Sequence, residues 1–82
     1  MAYYPVVLYV KGRRCLVVGG GKVAFRKVAS LLEEEACVTV ISPSFTEDLL
    51  KLAEGKAVNF VRRTYQQGDM KGFFIAFAAT DD

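Results

Sequence analysis

CLVVGGGKVAFRKVASLL, residues 15–32, sets three consecutive glycines between a valine-rich apolar run and a helical pattern. A glycine in a regular element loses extra backbone entropy on folding. Three together mark a place where the chain must turn sharply or let something approach its backbone. Residues 15–18 read as a short buried strand. From Lys22 the period changes: Ala24, Val28, Leu31 and Leu32 fall on one helical face, with Arg26, Lys27, Glu33 and Glu34 mostly on the others. Gly19, Gly21 and Ala24 therefore fit G-x-G-x-x-G/A in the strand–turn–helix context that this motif requires. In that role Gly19 allows the tight turn, Gly21 lets backbone come close to a pyrophosphate, and Ala24 keeps helix near strand. The helix N-terminus then turns N–H groups and the positive end of its dipole towards the phosphates. The structural alternative is a plain flexible turn. A Walker A loop is excluded, because Lys22 is followed by Val23 rather than Ser or Thr.

Outward from this turn the elements alternate. Residues 37–41, CVTVI, form a second β-branched run. Ser44 with Glu47 three residues later has capping-box spacing, which predicts a helix from about Phe45 with Leu49, Leu50, Leu52 and Ala53 on its apolar side and Gly55 at its C′ stop. Residues 57–61, AVNFV, are a third strand, a polar loop runs over 62–72, and FFIAFAAT, 73–80, is a fourth strand apolar enough to be covered on both faces. This β-α-β-α-β-loop-β order implies an α/β fold with a Rossmann-like parallel sheet. The strand order 3-2-1-4 follows from the switch point that a glycine turn needs, with Val17, Val18, Val38, Val40 and Ile75 buried. The stretch YPVVLYV, 4–10, is either an edge strand turning at Lys11-Gly12 or a strap packed on the sheet.

The bulk properties bound the function. The 82 residues make one domain, 1–82, and 52% hydrophobic content argues against disorder. A net charge of +2 gives no footprint of a nucleic-acid binder, and no apolar run is long enough to span a membrane. The N-terminus lacks the basic region and cleavage site of a signal peptide, so the expected compartment is the cytoplasm. Cys15 and Cys37 read as buried reduced thiols, and with no histidine in the chain no zinc site is expected. Chemistry must come from carboxylates, lysines, backbone groups or a cofactor. The end of the second strand, where an NAD-binding unit usually carries Asp or Glu, reads Ile41-Ser42-Pro43-Ser44. Ser42 or Ser44 can bond a ribose there and also tolerate a 2′-phosphate, which leaves NAD and NADP both open.

Taken with VTVISP (38–43), FVRRTY (60–65), GD (68–69) and the terminal AFAATDD (76–82), the glycine stretch resembles the precorrin-2 dehydrogenase / sirohydrochlorin ferrochelatase family, the N-terminal dehydrogenase module of siroheme synthases. The resemblance runs through essentially the whole chain. It implies NAD-dependent oxidation of precorrin-2, a tetrapyrrole, to sirohydrochlorin in siroheme biosynthesis; some members also insert ferrous iron. It implies cofactor contacts at Gly19, Gly20, Gly21, Lys22 and Val23, at Ser42, Pro43 and Ser44, and at Ala78, Ala79 and Thr80, and it implies a homo-oligomer. It also brings NAD usage without the acidic residue. The chain departs from the family at Glu33-Glu34-Glu35-Ala36, where members show Glu-Ala-Gly-Ala: without glycine, a left-handed residue costs on the order of 1 kcal/mol. Family members continue past Asp82 with a helix and a fifth strand bearing an Asn-x-x-Asp stretch. The aspartate assigned to catalysis belongs there, so no catalytic residue is carried over. Asp81 and Asp82 read better as caps of that following helix. The expectation for the 82 residues alone is no dehydrogenase activity, and self-association through the apolar fourth strand. The competing function is an NAD(P)-binding redox-sensing module without turnover, since the motif specifies binding and not chemistry.

Overall fold

A computed structural model of the chain describes residues 8–79. The order is β1 (Arg14–Val18), α1 (Lys22–Glu33), β2 (Cys37–Ser42), α2 (Glu47–Leu52), β3 (Val58–Arg62) and β4 (Ile75–Ala78). The four strands form one parallel sheet in the order β3-β2-β1-β4, as the alternation of elements predicts. The register stacks side chains in rows. Ile75, Cys15, Val38 and Val58 lie across one row, and Phe77, Val17, Val40 and Phe60 across the next. Ala24, Val28 and Leu31 of α1 and Leu49 of α2 close over these rows to make the main core.

Both helices lie on this one face, as right-handed crossovers require when β1, β2 and β3 follow one another across the sheet. The link from β3 to β4 must return over the opposite face. It does so as a loop: Tyr65 and Met70 line a cavity with Val18, Ala76 and Ala78. An ion pair orders that loop. Arg63 donates two hydrogen bonds to Asp69, 2.7 and 2.8 Å long, and the Gln66 N–H donates a third to the same carboxylate.

Several sequence expectations need correction. Helix α2 is capped by Thr46, whose hydroxyl accepts from the Leu49 N–H, and not by Ser44. The helix starts late because the Thr46 N–H is tied to the Gly20 carbonyl and the Phe45 ring packs edge-on against Phe60. Leu50 is consequently exposed while Leu49 and Ala53 are buried, and α2 ends at an Ala53 cap two residues before Gly55. Cys37 is exposed at the open start of β2; only Cys15 is a buried thiol, and burial pushes its pKa up. Val18 and Ile75 are only half-buried, the first beneath the β3–β4 loop and the second at the start of an outer strand. Strand β4 begins at Ile75, so Phe73 and Phe74 precede it, each lying under an arginine. Residues 8–10 are not in the sheet and lead into a turn at Lys11-Gly12; the rest of the N-terminal strand-or-strap question, and Thr80, Asp81 and Asp82, lie outside the described residues.

The predicted strain at the end of α1 is present. Glu35 has φ 62, and the Ala36 and Glu35 N–H groups bond the Leu31 and Leu32 carbonyls, a Schellman motif built on glutamate.

Candidate functional site

At the carboxyl end of the sheet the glycine turn, the β2–α2 loop and the end of β4 enclose a cleft of ≈ 370 Å³. Its lining is Gly19, Gly20, Gly21, Ser42, Ser44, Phe45, Thr46 and Ala79. The turn is pinned to its neighbours: the Gly19 N–H donates to the Ile41 carbonyl and the Ala79 N–H to the Val18 carbonyl. Gly19 has φ +135, and a β-carbon there would overlap the Ala79 carbonyl. Gly20 is just as restricted, because its β-carbon would overlap the Ser44 carbonyl and sit 3.0 Å from Ser42 Oγ. These two glycines thus serve closure of the protein on itself. They also leave bare backbone along the cleft.

Gly21, in extended conformation, is the N-cap of α1 and provides no side-chain cap, and the first turn of that helix carries no carboxylate. The positive end of a twelve-residue helix therefore faces the cleft region without an acidic residue of its own to offset it. Ser42 is buried at the end of β2, and its Oγ lies 3.5 Å from the Ser44 N–H.

Of the eleven residues expected to meet a cofactor, Gly19, Gly20, Gly21, Ser42, Ser44 and Ala79 come together here. Lys22 borders the adjoining groove with Phe25, Arg26, Thr46 and Asp48, and Val23 is 40% exposed on the first turn of α1. Pro43 is exposed between the two serines. Ala78 faces the other side of the sheet, in the cavity with Val18 and Tyr65. Phe45 and Thr46 are additions. The sequence reading placed Phe45 inside a helix, and the signal that finds it is Thr46-x-x-Leu49 as the true capping segment.

A parallel sheet carrying a glycine-floored cleft at a helix N-terminus is the architecture of the dinucleotide-binding Rossmann folds. The comparisons agree. A family model described as "Putative NAD(P)-binding" matches residues 6–82, and the chain belongs to that family. It is similar to the "Siroheme synthase" of Thioalkalivibrio sulfidiphilus, 42% identical over all 82 residues and 17% of that protein, and to that of Nitrosococcus oceani, 40% identical over 18% of its length. Among solved structures it superposes on "SirC, precorrin-2 dehydrogenase" with a TM-score of 0.87 and 32% identity, covering 98% of this chain and 40% of that one. The chain thus spans under a fifth of the siroheme synthases it matches. Among the described residues no helix is long and apolar enough to cross a membrane, and no group of three or more His, Cys, Asp or Glu is arranged to hold a metal.

Proposed function

We propose that this chain is the dinucleotide-binding part of a cytoplasmic precorrin-2 dehydrogenase acting in siroheme biosynthesis, with NAD as its cofactor. The observation that carries the reading is the cleft at the carboxyl end of the sheet, lined by Gly19, Gly20, Gly21, Ser42 and Ser44, where Gly21 opens α1 with no acidic residue in its first turn. The cleft chemistry fits such a cofactor: backbone and hydroxyl donors, a helix N-terminus and, among the described residues, no carboxylate lining it to repel a pyrophosphate. Gly21, Lys22 and Val23 hold the pyrophosphate, and Ser42, Pro43 and Ser44 hold the adjacent ribose. Ala78, Ala79 and Thr80 border the nicotinamide end. The bound nicotinamide would accept a hydride from the tetrapyrrole. The chain's own residues fix its position. Among the described residues no carboxylate lines the cleft, so none of them is assigned the proton-handling role of the reaction.

The test is calorimetric titration of the 82-residue chain with NAD and NADP, paired with assay of precorrin-2 oxidation by this chain and by a version extended past Asp82. The proposal requires NAD binding by both and turnover only by the extended form. NAD binding with no turnover by either would favour a redox-sensing module.

A further inference from the structure

The opposite, amino end of the sheet holds a second cleft, of ≈ 530 Å³, that the dinucleotide reading does not use. It is lined by Lys11, Arg13 and Arg14 leading into β1 and by Gly72, Phe73 and Phe74 leading into β4. The two phenylalanines, which the sequence reading assigned to a strand, are instead platforms for the two arginines. The Arg13 guanidinium stands 4.4 Å from the Phe74 ring centroid and that of Arg14 stands 4.7 Å from the Phe73 centroid. Arg14 also donates to the Gly72 carbonyl at 3.4 Å, and the Phe74 N–H donates to the Arg14 carbonyl at 2.7 Å, which ties the two halves of the cleft together.

Among the described residues the ion pairs are Lys11–Glu35, exposed and 3.7 Å long, and Arg63–Asp69. Arg13 and Arg14 both line this hollow, each on its own ring, with no described carboxylate within pairing distance of either. Stacking occupies the face of a guanidinium but leaves its N–H donors, which lie in the plane, available to an oxyanion. Two such forks held on rings along one hollow match a small ligand carrying more than one negative charge, with Lys11, paired to Glu35, at its edge. The backbone N–H groups of Gly12, Arg13, Phe73 and Phe74 are all taken by carbonyls, so recognition falls to the side chains.

We infer that this amino-end cleft is an anion site, distinct from the dinucleotide cleft, for a small multiply charged phosphate such as a pyrophosphate group. The test is a titration of amide NMR shifts in the 82-residue chain with inorganic phosphate and inorganic pyrophosphate, at constant ionic strength and with chloride as control. The expected result is saturable shifts at residues 11–14 and 72–74, with pyrophosphate at least tenfold tighter than phosphate. The Arg13→Gln/Arg14→Gln variant should weaken that binding at least tenfold while shifts at residues 19–23 stay as they were. Should the double variant unfold, Phe73→Leu/Phe74→Leu keeps every charge and should weaken pyrophosphate severalfold by releasing the guanidiniums. Shifts confined to residues 19–23, or shifts that never saturate and follow ionic strength alone, would overturn the inference. So would tight binding of a single-stranded oligonucleotide or an anionic vesicle at residues 11–14 where pyrophosphate fails.

Discussion

Gly20 and the carbonyl oxygen of Ser44 face each other with no room between them for a β-carbon, and the Gly20 carbonyl in turn accepts the Thr46 N–H at 2.9 Å. The middle glycine of the turn thus locks the β2–α2 loop onto the end of β1. Gly20→Ala should destabilise the fold by about 1–3 kcal/mol, the usual cost of overpacking a closed contact. Gly12→Ala, at φ +71 but in open space, meets only the backbone term of on the order of 1 kcal/mol. Urea unfolding of the two variants checks the order; an equal loss in both would remove the contact from the account.

Glu35 occupies the left-handed position that ends α1, φ 62, where glycine is the unstrained choice. Its exposed pair with Lys11 contributes little to offset this. Glu35→Gly should stabilise the chain by roughly 0.5–1 kcal/mol. Thermal or urea unfolding reads it, and a destabilised Glu35→Gly protein would show that the ion pair or the unfolded chain's added freedom outweighs the strain.

Hydrogen bonds from Arg63 and from the Gln66 N–H hold the Asp69 carboxyl at about 2, against a usual 3.8. The unfolded chain therefore takes up this proton at higher pH than the folded one does. The contribution to stability is complete above about pH 4 and is lost as pH falls through about 2. Urea unfolding across that window should show the native chain's advantage over Asp69→Asn shrinking as acid is added. Carboxyl NMR of the native chain that found Asp69 titrating near 4 would contradict the clasp.

Much of this was legible in the sequence because the periodicities are unambiguous. Val38 and Val40 alternate with the sheet and Ala24, Val28 and Leu31 with the helix, and both patterns hold. Position-specific readings fared less well where a tertiary contact outranked a local preference. Ser44 has capping-box spacing, yet Thr46, whose N–H is tied to the Gly20 carbonyl, caps instead. Phe73 and Phe74 read as strand core because pattern alone does not reveal that Arg13 and Arg14 arrive over them from 60 residues away. Gly20, an unrestricted position in G-x-G-x-x-A, is fixed by a contact that no local motif encodes.

Strand β4 pairs with β1 on one side, and among the described residues no strand pairs with its other edge. Together with exposed Phe74 and Met70, this makes self-association of the 82-residue chain the expected outcome. Light scattering over a concentration series should show mass rising above 9.1 kDa. A constant monomer mass would contradict it.

In the function proposed above, a dinucleotide seats its pyrophosphate where Gly21 opens α1. Calorimetric titration of NAD into the native chain and into Gly21→Val tests it most directly, with unfolding curves run to confirm that the variant is folded. Binding to the native chain should be saturable and weakened at least tenfold, about 1.4 kcal/mol, by the valine. Equal affinity for the two folded proteins, or no binding of NAD or NADP by the native chain, would contradict it.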